Sequence, residues 1–386
     1  ADVITIIDPN DYESVLRQLQ NGDVNVTRRR LLAMKAFAYT ASYDQAVSQC
    51  FAASARGQSD LEESAATILP LTLSLEGRWR TKLRHGENPH QAAALYQDES
   101  CLETSIANAE ILSSSGELSL GQVADLDLAL EICKDFDEPL AVFVRHGNPC
   151  AMARAEQIRD AFAKSLDCDP LRVAGSVAAI NRAADNELVP LIVESEILAL
   201  VAPAYRSSVL EKLTPRRSLM LLRCGPLIRP PMDCQVQPII GGYLVQDRDL
   251  MPENRRNWRV ATELEPTPED LEALVFGWKV VKWVKSCAAA IVDSNGIYGI
   301  GAGQANTLDA VRIAIDKASD SAEGAYMAID LTFGMADGLD VIELAAEAGI
   351  RAIIQPGGGP LDQQAAHAAD KHGLAMVHTG RRHLRH

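Results

Sequence analysis

No Cys-x-x-Cys pair occurs anywhere in this 386-residue chain, although it holds eight cysteines. Scattered thiols in a chain of this length argue for reduced cysteines in a cytosolic enzyme, and against a disulfide framework or a zinc site. No metal is therefore expected. Positive charge is also scarce: 37 Lys and Arg stand against 52 Asp and Glu, a formal charge of −15. That balance leaves no basic face to neutralise nucleic-acid phosphates, although a few local arginines still suffice for a small anion. Apolar runs such as ILALVAP at 197–203 fall far short of a membrane span. The opening ADVITIIDPNDYESVL lacks a basic stretch followed by an apolar one, so no signal peptide is legible and a cytoplasmic location is expected. A dinucleotide fingerprint is missing too, since GIGAGQ at 299–304 has neither the GxGxxG spacing nor a suitably placed acid.

What remains is an ordinary soluble globular composition, 47% hydrophobic and 23% charged, long enough for two or three domains. Residues 8–55 read as two helices, with an Asp-Pro-Asn-Asp start and apolar residues at helical spacing, before a polar break at 57–63. Further on, DLDLALEICKDF predicts a helix, LAVFV a strand, AEQIRDAFAKSL a helix and GSVAAIN a strand. The same order returns after residue 288. AAAIVDSNGIYGIGAGQ reads as strand and Gly-rich turn, TLDAVRIAIDKA as helix, GAYMAID as strand, DGLDVIELAAEAG as helix and IRAIIQPGGG as strand and turn. This alternation indicates an α/β protein. Its recurrence suggests two related subdomains, with the Pro- and Arg-rich RCGPLIRPP at 223–231 as a loop-rich bridge.

Four stretches are candidates for chemistry. FVRHGNPCAMA at 143–153 ends a strand in Arg145 and His146 and turns through Gly-Asn-Pro-Cys, which is either an active-site corner or an ordinary turn with a solvated pair at its lip. LRHGENPHQ at 83–91 places Arg84 before a second turn; its planar guanidinium suits a phosphate, but a solvated surface arginine fits as well. IIQPGGGPLD at 353–362 feeds a strand into three glycines whose N–H groups could cradle an anion. The C-terminal TGRRHLRH follows directly on a strand, so a docked anion-binding tail competes with a merely solvated one.

In order and spacing, RHGENPHQAAALY, ELSLGQVADLDLALE, VRHGNPCA, GGYLVQDRD, GWKVVKWVKS, GIGAGQ, AGIRAIIQPGG and TGRRHLRH resemble segments of the AICAR transformylase family. The resemblance runs over residues 3–386. It implies two cytidine-deaminase-like subdomains with mixed sheets flanked by helices, at 76–250 and 251–386, behind a helical segment at 1–75. It further implies a homodimer, with active sites at the subunit interface. The chain begins where the linker after the family's IMP cyclohydrolase domain would lie, so the formyl-transferring part without that domain is expected. The implied reaction carries a formyl group from the co-substrate 10-formyltetrahydrofolate to the amine of 5-aminoimidazole-4-carboxamide ribonucleotide (AICAR). That amine is a poor nucleophile, so the site needs a base and a cation near the formyl oxygen.

Carried over by position, the resemblance makes His146 the base and Arg145 the stabiliser of the oxyanion. Arg84, Asn148, Gln122, Gly175, Phe333, Asp337 and Arg382 become substrate contacts. Several positions depart from the family. Arg145 replaces a lysine and, with a pKa above roughly 12, cannot exchange protons. Cys287 replaces an asparagine that would hold the formyl group, and a thiol is a much weaker hydrogen-bond partner. Ala174 and Leu384 replace aromatics, Leu198 replaces an acid, Gln122 an asparagine and Thr307 an arginine. A transferase retargeted to another amine, or a non-catalytic nucleotide- or folate-binding partner, would show the same pattern.

Overall fold

The computed structural model describes residues 3–56, 69, 73–113, 116–229, 234–333 and 337–386, without the side chains at 49, 52–56, 170, 171 and 337. Contacts divide the chain into two units, Ala1–Ile68 and Leu69–His386. In the first, Asp8 caps a short turn by accepting the Asn10 N–H at 2.9 Å, and helices α1 (Tyr12–Gln20) and α2 (Val26–Arg56) follow. They pack through the buried Val15, Val24 and Leu32, with Asp11 shared between Arg28 and Lys35. The polar break expected at 57–63 lies outside the described residues.

The second unit begins with an antiparallel ribbon, β1 (Arg78–Lys82) and β2 (Ala94–Gln97). A six-stranded sheet comes next, assembled from β3 (Glu110–Ile111), α3 (Leu120–Lys134), β4 (Leu140–Arg145), β5 (Asn148–Arg154), α4 (Ile158–Cys168), α5 (Pro170–Val173), β6 (Val177–Ile180), α6 (Leu188–Glu194), β7 (Ala199–Ala202), α7 (Ser207–Leu213) and β8 (Met220–Arg223). A second ribbon, β9 (Cys234–Ile239) with β10 (Gly242–Asp247), follows it. The second sheet uses β11 (Arg259–Val260), α8 (Pro268–Val281), β12 (Ala289–Val292), β13 (Ile297–Gly301), α9 (Thr307–Ala318), β14 (Tyr326–Ile329), α10 (Asp337–Glu347), β15 (Ala352–Gln355), α11 (Asp362–His372) and β16 (Ala375–His378).

Strand for strand the two sheets share one order, β3-β8-β7-β6-β4-β5 and β11-β16-β15-β14-β12-β13. In each, three parallel strands are flanked by an antiparallel hairpin on one side and a short antiparallel strand on the other. The central strands are buried on both faces, which is why VAAI, ALVA, YMAI and AIIQ read as continuous apolar runs. One face of each sheet joins a common core with α3 and α8, where Phe136 and Phe276 meet edge to face. The other faces are covered by α4, α6 and α7, and by α9, α10 and α11.

Two turns expected from the sequence prove to be strands. NPCAMAR is β5, with Pro149 tolerated because β5 is the edge of its sheet and the ladder is irregular at Phe143/Val144. Likewise Gly299 and Gly301 lie within β13. A Cβ there would come within 2.0 Å of the Ala314 carbonyl oxygen and 1.8 Å of that of Ala310, so these glycines let α9 press directly on the strand. The edges β5 and β13 then meet at an Ala153–Gly296 bridge, reinforced by the Arg154 N–H donating to the Asn295 carbonyl at 2.7 Å.

Candidate active site

The Arg-His stretch resolves into a two-residue hairpin. Arg145 pairs with Asn148, and the two residues between them have positive φ, 54° at His146 and 74° at Gly147. Positive φ at both positions is the backbone of a type I′ turn, whose twist matches that of the flanking strands. A histidine there is strained by roughly 1–2 kcal/mol, and Asp125 of α3 supplies the restraint. Its carboxylate accepts the His146 N–H at 3.0 Å and the Gly147 N–H at 2.6 Å. Because the carboxylate grips the main chain, the His146 imidazole stays exposed and has no partner among the described residues. Arg145 is also exposed, its guanidinium donating to the Ala174 carbonyl at 3.3 Å, which places Gly175 (φ 77°) beside it.

Asn148 faces the other way. Its amide oxygen accepts the Lys285 N–H at 3.0 Å, drawing the segment after α8 against the hairpin. That segment is a junction. The Lys285 carbonyl accepts from Gly303 at 2.6 Å, and Cys287 and Gln304 exchange backbone hydrogen bonds at 3.1 and 3.3 Å. Ser286 donates its N–H to the Arg385 carbonyl at 2.8 Å and accepts the Arg385 N–H on its hydroxyl at 3.1 Å. Beneath it the fully buried Asp330 accepts the Ala288 N–H at 2.8 Å, and burial raises its carboxyl above the usual range. Cys287 is thus half-buried on the site, at the position where the sequence lacks an amide.

Arg84 and Gln122 approach from the start of α3. The Arg84 N–H donates to Leu118, and the Leu120 N–H to His85. Gln122 forms a capping box with Ser119, its amide oxygen taking the Ser119 N–H at 2.9 Å. Its amide nitrogen has no partner among the described residues. The Arg84 guanidinium is exposed and has no partner among the described residues. Behind the hairpin lies a cavity of about 440 Å³, bounded by Arg145, His146, Cys150, Arg172, Tyr298 and Lys317. Burial pushes the Cys150 thiol up to about 12, which disfavours its thiolate.

Two expectations change on the far side of the second sheet. Phe333 is 2% exposed and packs in the core with α9 and α10, so its ring is enclosed by its own chain. The triple glycine holds an anion from its own chain: the Asp362 carboxylate accepts the N–H groups of Gly358 and Gly359 at 2.6 and 3.0 Å. Asp337 opens α10, and its side chain lies outside the described residues. Arg382 is exposed and reaches the Thr332 hydroxyl at 3.3 Å. The tail itself is docked, but through acids. His383 is buried between Asp249 and Glu253 and lies against Trp278 at 5.2 Å between ring centres.

Arg145, His146 and Asn148 therefore share one hairpin, with Gly175 next to the residue that Arg145 contacts and Cys287 two residues beyond the Lys285 that Asn148 holds. Arg84 and Gln122 stand at the start of α3, the helix that carries Asp125, and Arg382 lies in the tail whose Arg385 binds Ser286. Asp125, Lys285 and Asp330 escape the sequence reading. Only Asp125 carried a signal, one helical turn beyond Gln122 on the same face of α3. Mixed α/β sheets here present an exposed imidazole beside an exposed guanidinium, a pairing suited to work on an anionic substrate. The chain belongs to the AICARFT/IMPCHase bienzyme family, whose model matches residues 1–317. Among its relatives is the bifunctional purine biosynthesis protein PurH of Halalkalibacterium halodurans, 40% identical over 385 residues. The same-named proteins of Sorangium cellulosum and Anoxybacillus flavithermus are 40% and 38% identical over 393 and 387 residues. Each match takes in 100% of this chain and 73–74% of the relative. No described helix is long and apolar enough to cross a membrane.

Proposed function

We propose that the chain is an AICAR formyltransferase of purine biosynthesis, taking its formyl group from 10-formyltetrahydrofolate. The observation that carries this is the unpaired His146 imidazole, on a turn clamped by Asp125 and beside Arg145, in a chain of this family. The amine attacks the formyl carbon while His146 takes the amine proton, and Arg145 offsets the charge that develops on the formyl oxygen. Arg84 and Arg382, both exposed, serve the phosphate. Asn148 acts by holding the Lys285 segment against the turn. Gly175, with open space where a Cβ would stand, leaves room for the base. Asp337 is assigned to the same nucleotide by the family pattern.

The shared strand order of the two sheets supports a pair of cytidine-deaminase-like subdomains at 76–250 and 251–386, behind the helical segment at 1–75. A cytoplasmic homodimer completes the reading. One observation favours a second reading: the thiol of Cys287 occupies the junction where an amide would hold the formyl group. A transferase adapted to a different phosphorylated amine accommodates that change. The test is tetrahydrofolate release from 10-formyltetrahydrofolate with AICAR added or omitted. AICAR-dependent release supports the first reading. Release that depends only on another phosphorylated amine supports the second.

A further inference from the structure

One cation near His146 has no role in this scheme. Lys285 is clamped at both ends of its peptide, the N–H by Asn148 at 3.0 Å and the carbonyl by Gly303 at 2.6 Å. Its side chain lies over the hairpin turn, where a Cβ at Gly147 would stand 3.3 Å from Cε and 3.7 Å from Nζ. Several other cations of this unit are committed. Lys134 binds Glu103 and Glu131, Arg248 binds the same two acids, and Lys282 and Arg229 bind Asp135. Lys285 is exposed and has neither a carboxylate nor a hydrogen-bond partner among the described residues. The carboxylate that touches the turn, that of Asp125, is already occupied by two main-chain N–H groups. The face around His146 is therefore cationic on both flanks, Arg145 on one and Lys285 on the other, and calls for an electron-rich oxygen between them.

We propose that Lys285 is a catalytic residue of this site, its ammonium hydrogen-bonding the formyl oxygen. This deepens the reading above and rests on it. As the amine nitrogen bonds to the formyl carbon, the C=O π pair moves onto oxygen and the amine proton passes to His146. The C=O bond then re-forms, the bond from carbon to the folate nitrogen breaks, and that nitrogen takes up a proton. Nothing is oxidised or reduced, and Lys285 donates to the oxygen while it is negative.

The experiment compares the full-length wild type with Lys285→Met and Lys285→Arg. It measures kcat, KM for both substrates, AICAR affinity by calorimetry and the urea midpoint. Both clamps use the main chain, so the variants keep the wild-type fold. The expected result is a fall in kcat of about a hundredfold in Lys285→Met, as for loss of one oxyanion donor, with AICAR affinity and urea midpoint unchanged. Lys285→Arg recovers much of the rate. A wild-type kcat in Lys285→Met overturns the proposal, and so does a loss matched by weaker AICAR binding or a lower midpoint. A wild type that releases no tetrahydrofolate defeats the functional reading and this inference with it. An active wild type with an indifferent methionine variant defeats the inference alone.

Discussion

Replacing Asp125 tests whether the hairpin turn is an aimed element. In Asp125→Ala the N–H groups of His146 and Gly147 lose acceptors at 3.0 and 2.6 Å. Hydrogen bonds to a charged group contribute roughly 1.5–3 kcal/mol each when shielded. The turn is exposed at His146 and half-exposed at Gly147, so water replaces part of that and a total near 2 kcal/mol is expected. That is comparable with the strain of holding histidine at φ 54°, roughly 1–2 kcal/mol. The turn is then free to leave the left-handed region and carry the imidazole with it. A displacement of this kind costs on the order of a hundredfold in rate. The assay is AICAR-dependent tetrahydrofolate release, beside urea unfolding, for Asp125→Ala and Asp125→Asn. The asparagine keeps one acceptor oxygen and should lie between wild type and alanine. Unchanged kcat in Asp125→Ala would refute the reasoning, because His146 would then hold its place without the clamp.

Other outcomes follow from the same geometry. Burial alone would lower the His383 pKa, but hydrogen bonds to Asp249 and Glu253 outweigh it and raise it above the ordinary histidine value. The stability it contributes is thus present below roughly pH 6.5 and fades as pH rises through the folded pKa. Asp249 and Glu253 are lowered, so their share is lost only under acid conditions. His383→Gln should accordingly cost most stability near pH 6 and least near pH 9, read from urea midpoints across that range; equal cost at both ends would count against a charged His383. Gly301→Ala sets a methyl 1.8 Å from the Ala310 carbonyl oxygen and should lower stability by about 3 kcal/mol or more or prevent folding, as circular dichroism would report. Arg145→Lys combined with Cys287→Asn should raise formyl transfer to AICAR, and no gain would argue for a pocket built around another amine.

How much of this was legible beforehand depended on which physical term decided each feature. The α/β class and most elements follow from local pattern, because burial on both faces writes itself as runs such as ALVA and AIIQ. The turn at 146–147 needed pairing information: NPC reads as loop because proline and asparagine are poor strand formers, yet an edge strand accepts them. Gly299 and Gly301 looked like a turn because a sequence does not record that a helix backbone lies 2.0 and 1.8 Å from where their side chains would be. That packing buries the Phe333 ring is likewise unwritten in the sequence, and the triple glycine looked vacant until Asp362 filled it.

Sequence alone determined the chain's family, since motif order along the chain carries that information. Only the tertiary structure decided how the site is held. Asp125, Lys285, Asp330 and the docked tail act through hydrogen bonds between residues up to 137 positions apart, as from Asn148 to Lys285. Such bonds form only after the two sheets have packed their common core and brought distant backbone groups within reach.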